Sequence, residues 1–565
     1  MNLKSLNSPS DVMQTLCDQD TNIIELLTPN FDDLSNPNTI LEHVYKLATC
    51  NIATPHTELL QKMIEQVEPV DYQLIAFPKV KRLKERMKEL EPKLFGEGGS
   101  IIANSENESH RDEYKMISKE LSKCKPQKKH LLIITIKKLK EITEKNRWGL
   151  CKNKDFIYLY NGNYWAEVDG KEFEKFLGEV AEKMGVEEFD AKLYLFREAL
   201  LKQFLALEYL PTPEPDKDKV LINLSNGTFE ISTKFQGLRK FNRADFLTYQ
   251  LPFNFDETKT APKFQKYLDR VLPDKSRQQV LAEYLGYVFI RNGSRALKAE
   301  KALILYGKGA NGKSVFFEVV TAVFGAHNVS NFSLQNLTEE KGFYRAKIGT
   351  KLVNYASEIS TKLEPSLFKQ MVSGEPVEAC LKYGQPFTME QYAKFIFNSN
   401  ELPRDVEHTH AYFRRFLIIP FDVTIPDDEQ DKDLHHKIIE IELSGVFNWI
   451  LEGLRRLLDN GNFTHCEAAD NILAKYKMES DSVQMFLSDN GYKPSIEHKM
   501  LLKPIYEEYK VYCIENAFKL CSNKTFSDRL RSVGFDVSER SNAGKLVFAE
   551  KNLFSDHHFQ HYQHE

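Results

Sequence analysis

Apolar residues recur at three- and four-residue spacing through the first 95 positions, in DVMQTL, NIIELL and HTELLQKMIEQV, which predicts a helical N-terminal region over 1–95. Within it, KVKRLKERMKELEPK mixes charges along a helix, the pattern of a solvated face or of a nucleic-acid contact. GEGGSIIANSENESHRDE, residues 96–113, is rich in Gly, Ser, Asn and Glu and reads as a linker. A basic stretch over 119–145 then surrounds the apolar run HLLIITI, part of which has to be core, so 96–147 is taken as linker and basic segment. From Trp148 the pattern turns to β. DFIYLYNGNYWAEV and VLINLSNGTFEI set aromatic and β-branched residues around Asn-Gly, so two hairpins are expected, the second turning at Asn226-Gly227. With the helices between them they form an α+β domain over 148–261. Residues 262–296 are helical, and from Lys301 to Phe421 short apolar strands alternate with helices, the mark of an α/β domain, here 262–430. A helical extension over 431–480, a helix–helix–hairpin domain over 481–551 and a tail over 552–565 complete the expected order.

The chain has 565 residues, too many for one core, and a net charge of −5. Any nucleic-acid contact therefore uses local basic patches. The eight cysteines form no CxxC pair, which argues against a zinc ribbon and for a reduced, intracellular chain. MNLKSLNSPSDVM lacks the apolar segment of a signal peptide, and no apolar run approaches the roughly 18 residues of a membrane span. The expected location is cytoplasmic, the host cytoplasm if the protein is viral, without membrane partners.

The strongest chemical signal is KALILYGKGANGKSVFFEVV. An apolar strand, Ala302 to Tyr306, runs into a glycine-rich loop, and an amphipathic helix follows. Gly307, Gly309 and Gly312 let the loop, with Ala310 and Asn311, turn its N–H groups toward phosphate oxygens. The helix from Lys313 points its positive end at them. Lys313 neutralises the β- and γ-phosphates of ATP, and Ser314 gives a hydroxyl to Mg²⁺. A P-loop alone establishes nucleotide binding, not which machine uses it.

KLVNYASEIS is a second apolar strand ending at Glu358, about forty residues behind the loop, where the strand beside the P-loop of an ATPase carries its acidic residue. Glu358 suits water activation and metal binding, and Ser357 stands where an acidic metal partner is usual. KFIFNSNELPR is a third strand ending in Asn398 and Asn400, and an amide there senses the γ-phosphate. AYFRRFLIIPF puts Arg414 and Arg415 before another strand. In ring ATPases such an arginine reaches the neighbouring subunit's nucleotide, an effect on the order of 10³–10⁵ in rate. MVSGEPVEACLKYGQPFTME predicts a hairpin with Lys382 and Tyr383 at its tip, a cation for phosphate and a ring for a base.

In this order Gly307–Ser314, Glu358, the 373–382 segment, Asn400 and Arg414/Arg415 resemble the superfamily 3 helicases, and within them the phage and plasmid primase–helicase family that includes the poxvirus enzyme. INLSNGTFEI with ADFLTYQLPFNFD, EYLGYVFIRNGSRALKAEKALILYG and ELSGVFNWILEGLRRLL also look like that family, so the resemblance covers about residues 150–550. It implies an AAA+-like P-loop core and a hexameric ring that translocates on single-stranded DNA and opens forked duplexes. It implies further that Lys313 and Ser314 bind ATP and Mg²⁺, that Glu358 is the second acidic residue of the Walker B strand, and that Asn400 is the sensor. Arg415 becomes the expected trans-acting finger, with Arg414 behind it, and Lys382 lies on the pore hairpin.

Relatives often carry a primase domain in front, which needs a strand-borne Asp-x-Asp. The one short match here, Asp18-Gln19-Asp20, follows a helical pattern, so no primase activity is expected and a separate primase becomes a possible partner. The 481–551 pattern is that of a winged helix, with Lys524, Arg529, Arg531, Arg540 and Lys545 as phosphate contacts. Two other readings stay open: a P-loop regulator that does not unwind, and an origin-binding initiator. A small-molecule kinase is disfavoured, because paired arginines before a strand suit a ring interface.

Overall fold

The computed structural model describes residues 55–95, 108–153, 156–207, 216–356, 359, 364–382, 384–403 and 407–551. Most of the predicted N-terminal helical run, part of the linker, the tail, the Asp18–Asp20 match and the site candidates Glu358 and Tyr383 lie outside them, as does Ser357. The chain divides into two units, Met1–Thr212 and Pro213–Glu565. This division falls inside the 148–261 segment that the sequence pattern joins into one domain.

In the first unit, strands β1 (Gly149–Asn153), β2 (Phe156–Tyr160) and β3 (Trp165–Val168) form an antiparallel sheet in that order. The Asn161 carboxamide closes the β2–β3 connection by accepting from the Asn163 and Tyr164 N–H groups. Helices His56–Glu65, Lys128–Lys145, Gly170–Lys183 and Tyr194–Ala206 share a core with the sheet through Leu59, Met63, Ile136, Leu139, Leu150, Leu159, Phe173 and Phe204. Of the 96–113 stretch expected to be linker, residues 108–113 are described and begin the Glu108–Lys123 helix. Tyr114, Ile117 and Leu121, at helical spacing on the Glu108–Lys123 helix, pack against Leu90 and Leu94 of the Lys79–Leu94 helix, and Arg86 joins the two through Glu113 at 2.8 Å.

The second unit opens with the antiparallel strands β4 (Val220–Leu224), β5 (Gly227–Ile231) and β6 (Gln236–Arg239). Leu224 pairs with Gly227, so the turn is Ser225-Asn226, one residue earlier than expected. Asn226 is held there because its amide bonds Phe255 from both sides, at 2.9 Å each. Val220, Ile222 and Phe229 pack with Phe264, Tyr284, Val319 and Phe324, which is why this hairpin belongs to the core of the second unit.

The centre is a five-stranded parallel sheet. Its strands are β7 (Ala302–Tyr306), β8 (Val329–Ser330), β9 (Val353–Ala356), β12 (Lys394–Ser399) and β13 (Phe416–Pro420), and β10 (Val377–Cys380) with β11 (Pro386–Met389) makes a separate hairpin. The order is β13-β7-β12-β9-β8. Its strands are almost wholly buried, as expected of a parallel sheet covered on both faces. In such sheets ligands bind beyond the carboxyl ends of the strands.

Residues 481–551 run helix Ser482–Asp489, β14 (Tyr492–Leu501), helix Leu502–Glu515, helix Asn523–Ser532, β15 (Arg540–Ser541) and β16 (Gly544–Lys551). The sheet order is β14-β16-β15. β14 is absent from the expected helix–helix–hairpin order. Its sequence YKPSIEHKML is polar and holds a proline, and its pairing with β16 breaks between Pro494 and Lys499, which accommodates both. Among the described residues no helix is long and apolar enough to cross a membrane.

Candidate active site

The glycine-rich loop leaves the carboxyl end of β7 and enters the Lys313–Phe324 helix. Two of its glycines are required by space. A Cβ on Gly307 would stand 2.2 Å from the Phe421 carbonyl oxygen, and Gly312 has φ 85° with Val271 Cγ1 2.7 Å from its missing Cβ. Three outside segments hold the loop: Tyr267 donates its hydroxyl to Gly312 O at 2.8 Å, Ile425 N–H donates to Ala310 O at 2.8 Å, and Gly307 N–H donates to Ser399 O at 3.0 Å. The sequence motif gives no sign of these partners.

The helix has Gly312 at its N-cap and no side-chain cap, so its first-turn N–H groups are left without a side-chain acceptor, with the positive end of the helix dipole behind them, an arrangement that suits an anion. Lys313 is only 8% exposed. Its Nζ donates to Gly307 O at 2.6 Å, Asn311 Oδ1 at 2.9 Å and Lys308 O at 3.3 Å, and burial lowers its pKa. An ammonium parked on neutral carbonyls, next to open N–H donors, fits a polyphosphate. A Mg²⁺ carried by such a ligand takes few protein ligands. Ser314, exposed at the helix start, is the described residue placed to supply one.

Two clefts, each of about 570 Å³, open beside the loop. One is lined by Arg277, Tyr306, Lys308, Phe421, Thr424 and Lys475. At its edge Arg277 donates to Asp422 at 2.7 Å and to Pro420 O at 2.9 Å, and this bond holds the Asp422 carboxyl below its usual range. The other is lined by Lys308, Gly309, Asn400, Glu401, Tyr476 and Phe518, so the structure brings Asn400 to the loop. Asn400 is exposed, whereas Asn398 accepts from the buried Tyr355 hydroxyl at 3.1 Å.

β7 lies between β13 and β12, the latter with Asn398 and Asn400 at its end, and not beside β9 as the sequence suggests. β9 ends at Ala356, paired with Phe397, one strand further out. The position of Glu358 itself is outside the described residues.

Arg415, expected to reach another subunit, turns inward instead. It is 7% exposed, and its guanidinium donates to Ser373 Oγ at 2.8 and 3.2 Å, to Lys369 O at 3.1 Å and to Ala411 O. Its neighbour Arg414 has a side chain 42% exposed and pairs with Glu300 at 2.7 Å. Burial raises the Glu300 pKa, but the bonds from Lys298 and Arg414 outweigh it and the net shift is downward. The outward-facing arginine is Arg414. The change follows from packing: Arg415 is the only one of the two whose side chain lies over the end of the Pro365–Val372 helix.

Lys382 lies exposed in the tip joining β10 to β11. In the C-terminal domain Lys524 and Arg540 are exposed, and Lys545 is half-buried opposite Arg540 in the β15–β16 ladder. Arg531 pairs with Asp528 at 2.7 Å. Arg529 does not fit a phosphate contact: it is drawn in to the buried Asp481 at 3.1 Å, the N-cap of the Ser482–Asp489 helix.

Residues 305–415 match the model of a family of unknown function (DUF5906), and residues 137–273 match the family described as D5 N terminal like. A protein named "Putative helicase 184R", from Invertebrate iridescent virus 6, is 25% identical over 246 residues, 39% of this chain. The match spans about a quarter of that relative, 24% of its length. Two structures of the NrS-1 C-terminal region, one described as apo and one as its A form apo, are similar with a TM-score of 0.41 each, at 15% and 13% identity. Each match covers 72% of this chain, with 97% and 98% of those chains covered.

Proposed function

We propose that the chain is an ATP-dependent replicative DNA helicase of superfamily 3, of a phage, plasmid or virus. It works as a ring on single-stranded DNA and has no primase activity of its own. The observation that carries this reading is the pair of features on one parallel sheet: a buried Lys313 poised in a loop with open N–H donors, and an exposed Arg414 before β13. Lys313 and the helix N-terminus hold the triphosphate. Bound Mg²⁺ neutralises phosphate charge, with Ser314 as a ligand. Glu358 activates water, Asn400 orients it, and Arg414 of one copy serves the nucleotide of the next. Lys382 and Tyr383 contact DNA in the pore. The core is an AAA+-like P-loop ATPase, and similarity to a virus protein named as a helicase agrees with it.

A second reading, an origin-binding initiator, is favoured by one feature. The helix–strand–helix–helix–hairpin order of 481–551 is that of a winged helix, with Lys524, Arg531, Arg540 and Lys545 outward or on the wing. One experiment separates the two: ATP hydrolysis with and without single-stranded DNA, alongside separation of a forked duplex and binding of duplexes of differing sequence. Stimulated hydrolysis with unwinding supports the helicase. Sequence-specific duplex binding by 481–551 without unwinding supports the initiator.

A further inference from the structure

We infer that Ser373, together with the Lys369–Glu407 ion pair, is the linkage through which the arginine segment 407–415 moves the β10–β11 hairpin. This rests on the helicase reading and names the positioning residues that pass nucleotide state to DNA.

The arginine segment is fastened at both ends to a single helix, Pro365–Val372. At its far end Arg415 reaches back to the last turn, to Lys369 O at 3.1 Å and to Ser373 Oγ at 2.8 Å. At its near end Glu407 takes the Lys369 ammonium at 2.8 and 3.0 Å. Glu407 also accepts from Thr409 Oγ1 at 2.7 Å, and Thr409 caps the His410–Phe413 helix that leads to the arginines. Ser373 is the C-cap of the Pro365–Val372 helix, Gly374 follows at φ 69°, and β10 begins at Val377. The other root of the hairpin is tied to the same place, because Tyr392 donates its hydroxyl to Met371 O at 3.1 Å and Glu375 O at 2.7 Å.

Apolar contacts tolerate sliding, whereas charge-assisted hydrogen bonds, here buried at Arg415 and half-buried at Lys369–Glu407, fix distance and direction. A shift of the arginines is therefore delivered to the hairpin root without slack. Neither Ser373 nor Glu407 lines the clefts beside the loop, so their role is separable from nucleotide binding.

The test uses the full chain in its assembled state, with Ser373→Ala, Ser373→Thr and Glu407→Gln. Basal ATP hydrolysis, its stimulation by an oligothymidine strand, base pairs opened per ATP and thermal melting are read together. Ser373→Ala is expected to fold and keep basal hydrolysis while opening at least about fivefold fewer base pairs per ATP, and Ser373→Thr to restore the yield. Glu407→Gln is expected to show the same uncoupling more weakly. Wild-type yield per ATP in Ser373→Ala would overturn the linkage and leave the helicase reading standing. So would a proportional loss of hydrolysis and unwinding that Ser373→Thr does not rescue. A wild-type protein whose hydrolysis ignores the strand would overturn both.

Discussion

Asn311 donates its side-chain N–H to the main-chain carbonyl of Phe421 at 2.9 Å, fastening the middle of the glycine-rich loop to the residue that follows β13. The other end of the same amide accepts from Lys313 at 2.9 Å. One buried carboxamide thus positions the lysine against the strand that begins at the arginines.

That geometry requires both halves of the amide. In Asn311→Ala the lysine loses an acceptor worth about 1.5–3 kcal/mol and the loop loses its strap, so ATP affinity should fall about tenfold or more. Asn311→Asp should be worse than alanine despite its extra charge for Lys313, because a carboxylate oxygen would face the Phe421 carbonyl. Titration with a fluorescent ATP analogue checks this, and an aspartate variant that binds better than alanine would count against the strap.

Lys313→Ala should remove at least about 100-fold of the ATP hydrolysis rate. Stability should hardly fall, because relief of the desolvated ammonium offsets the loss of its bonds to the Gly307, Lys308 and Asn311 oxygens. Hydrolysis assays with a parallel thermal melt read both halves. Retained turnover would place the working site elsewhere.

The two arginines should behave as opposites. Arg414→Ala removes an outward guanidinium and is expected to abolish hydrolysis in the assembly while leaving nucleotide binding and melting temperature intact. Arg415→Ala strands Ser373 Oγ and the Ala411 carbonyl, at about 1–3 kcal/mol for each unsatisfied group, while Lys369 O keeps the Ser373 N–H, so it should melt several degrees lower. A destabilised Arg414→Ala together with a stable, inactive Arg415→Ala would restore the sequence-based assignment.

Lys382→Ala is expected to weaken stimulation by single-stranded DNA and to flatten its salt dependence while basal hydrolysis stays, since one phosphate contact is removed. ATPase rates over a salt series at fixed oligonucleotide measure it. An unchanged salt slope removes the hairpin tip from the DNA path.

The structure shows where the sequence speaks and where it falls silent. The loop was legible because Gly-x-x-x-x-Gly-Lys-Ser is complete within eight residues and its backbone conformation is locally determined. Asn400 was legible because a polar residue ends an apolar strand. The order of the sheet was not, since inserting β12 between β7 and β9 is a pairing of segments nearly a hundred residues apart. Nor could adjacent arginines be told apart, because which of the two turns inward depends on Ser373, some forty residues earlier. β14 was hidden by a proline and exposed charges that only its irregular ladder tolerates.

Lys394 supplies a prediction about pH. It lies on β12, 8% exposed, with Nζ donating to Asn292 Oδ1 at 2.6 Å and 4.5 Å from the centre of the Tyr287 ring. Burial disfavours its charged form, and its pKa is pushed down to about 7 from 10.5. Between those two values the unfolded chain binds more protons than the folded one. Stability from this group therefore rises with pH across that window, by up to about 1.4 kcal/mol per pH unit, and is level below it. Lys394→Met keeps the side chain's length and its contact with the ring while removing the titration. Urea unfolding of both proteins at steps from about pH 6.5 to 9 should find the variant's advantage largest at the acid end and shrinking upward. Parallel stability curves for the two proteins would mean that Lys394 is solvated in the folded state.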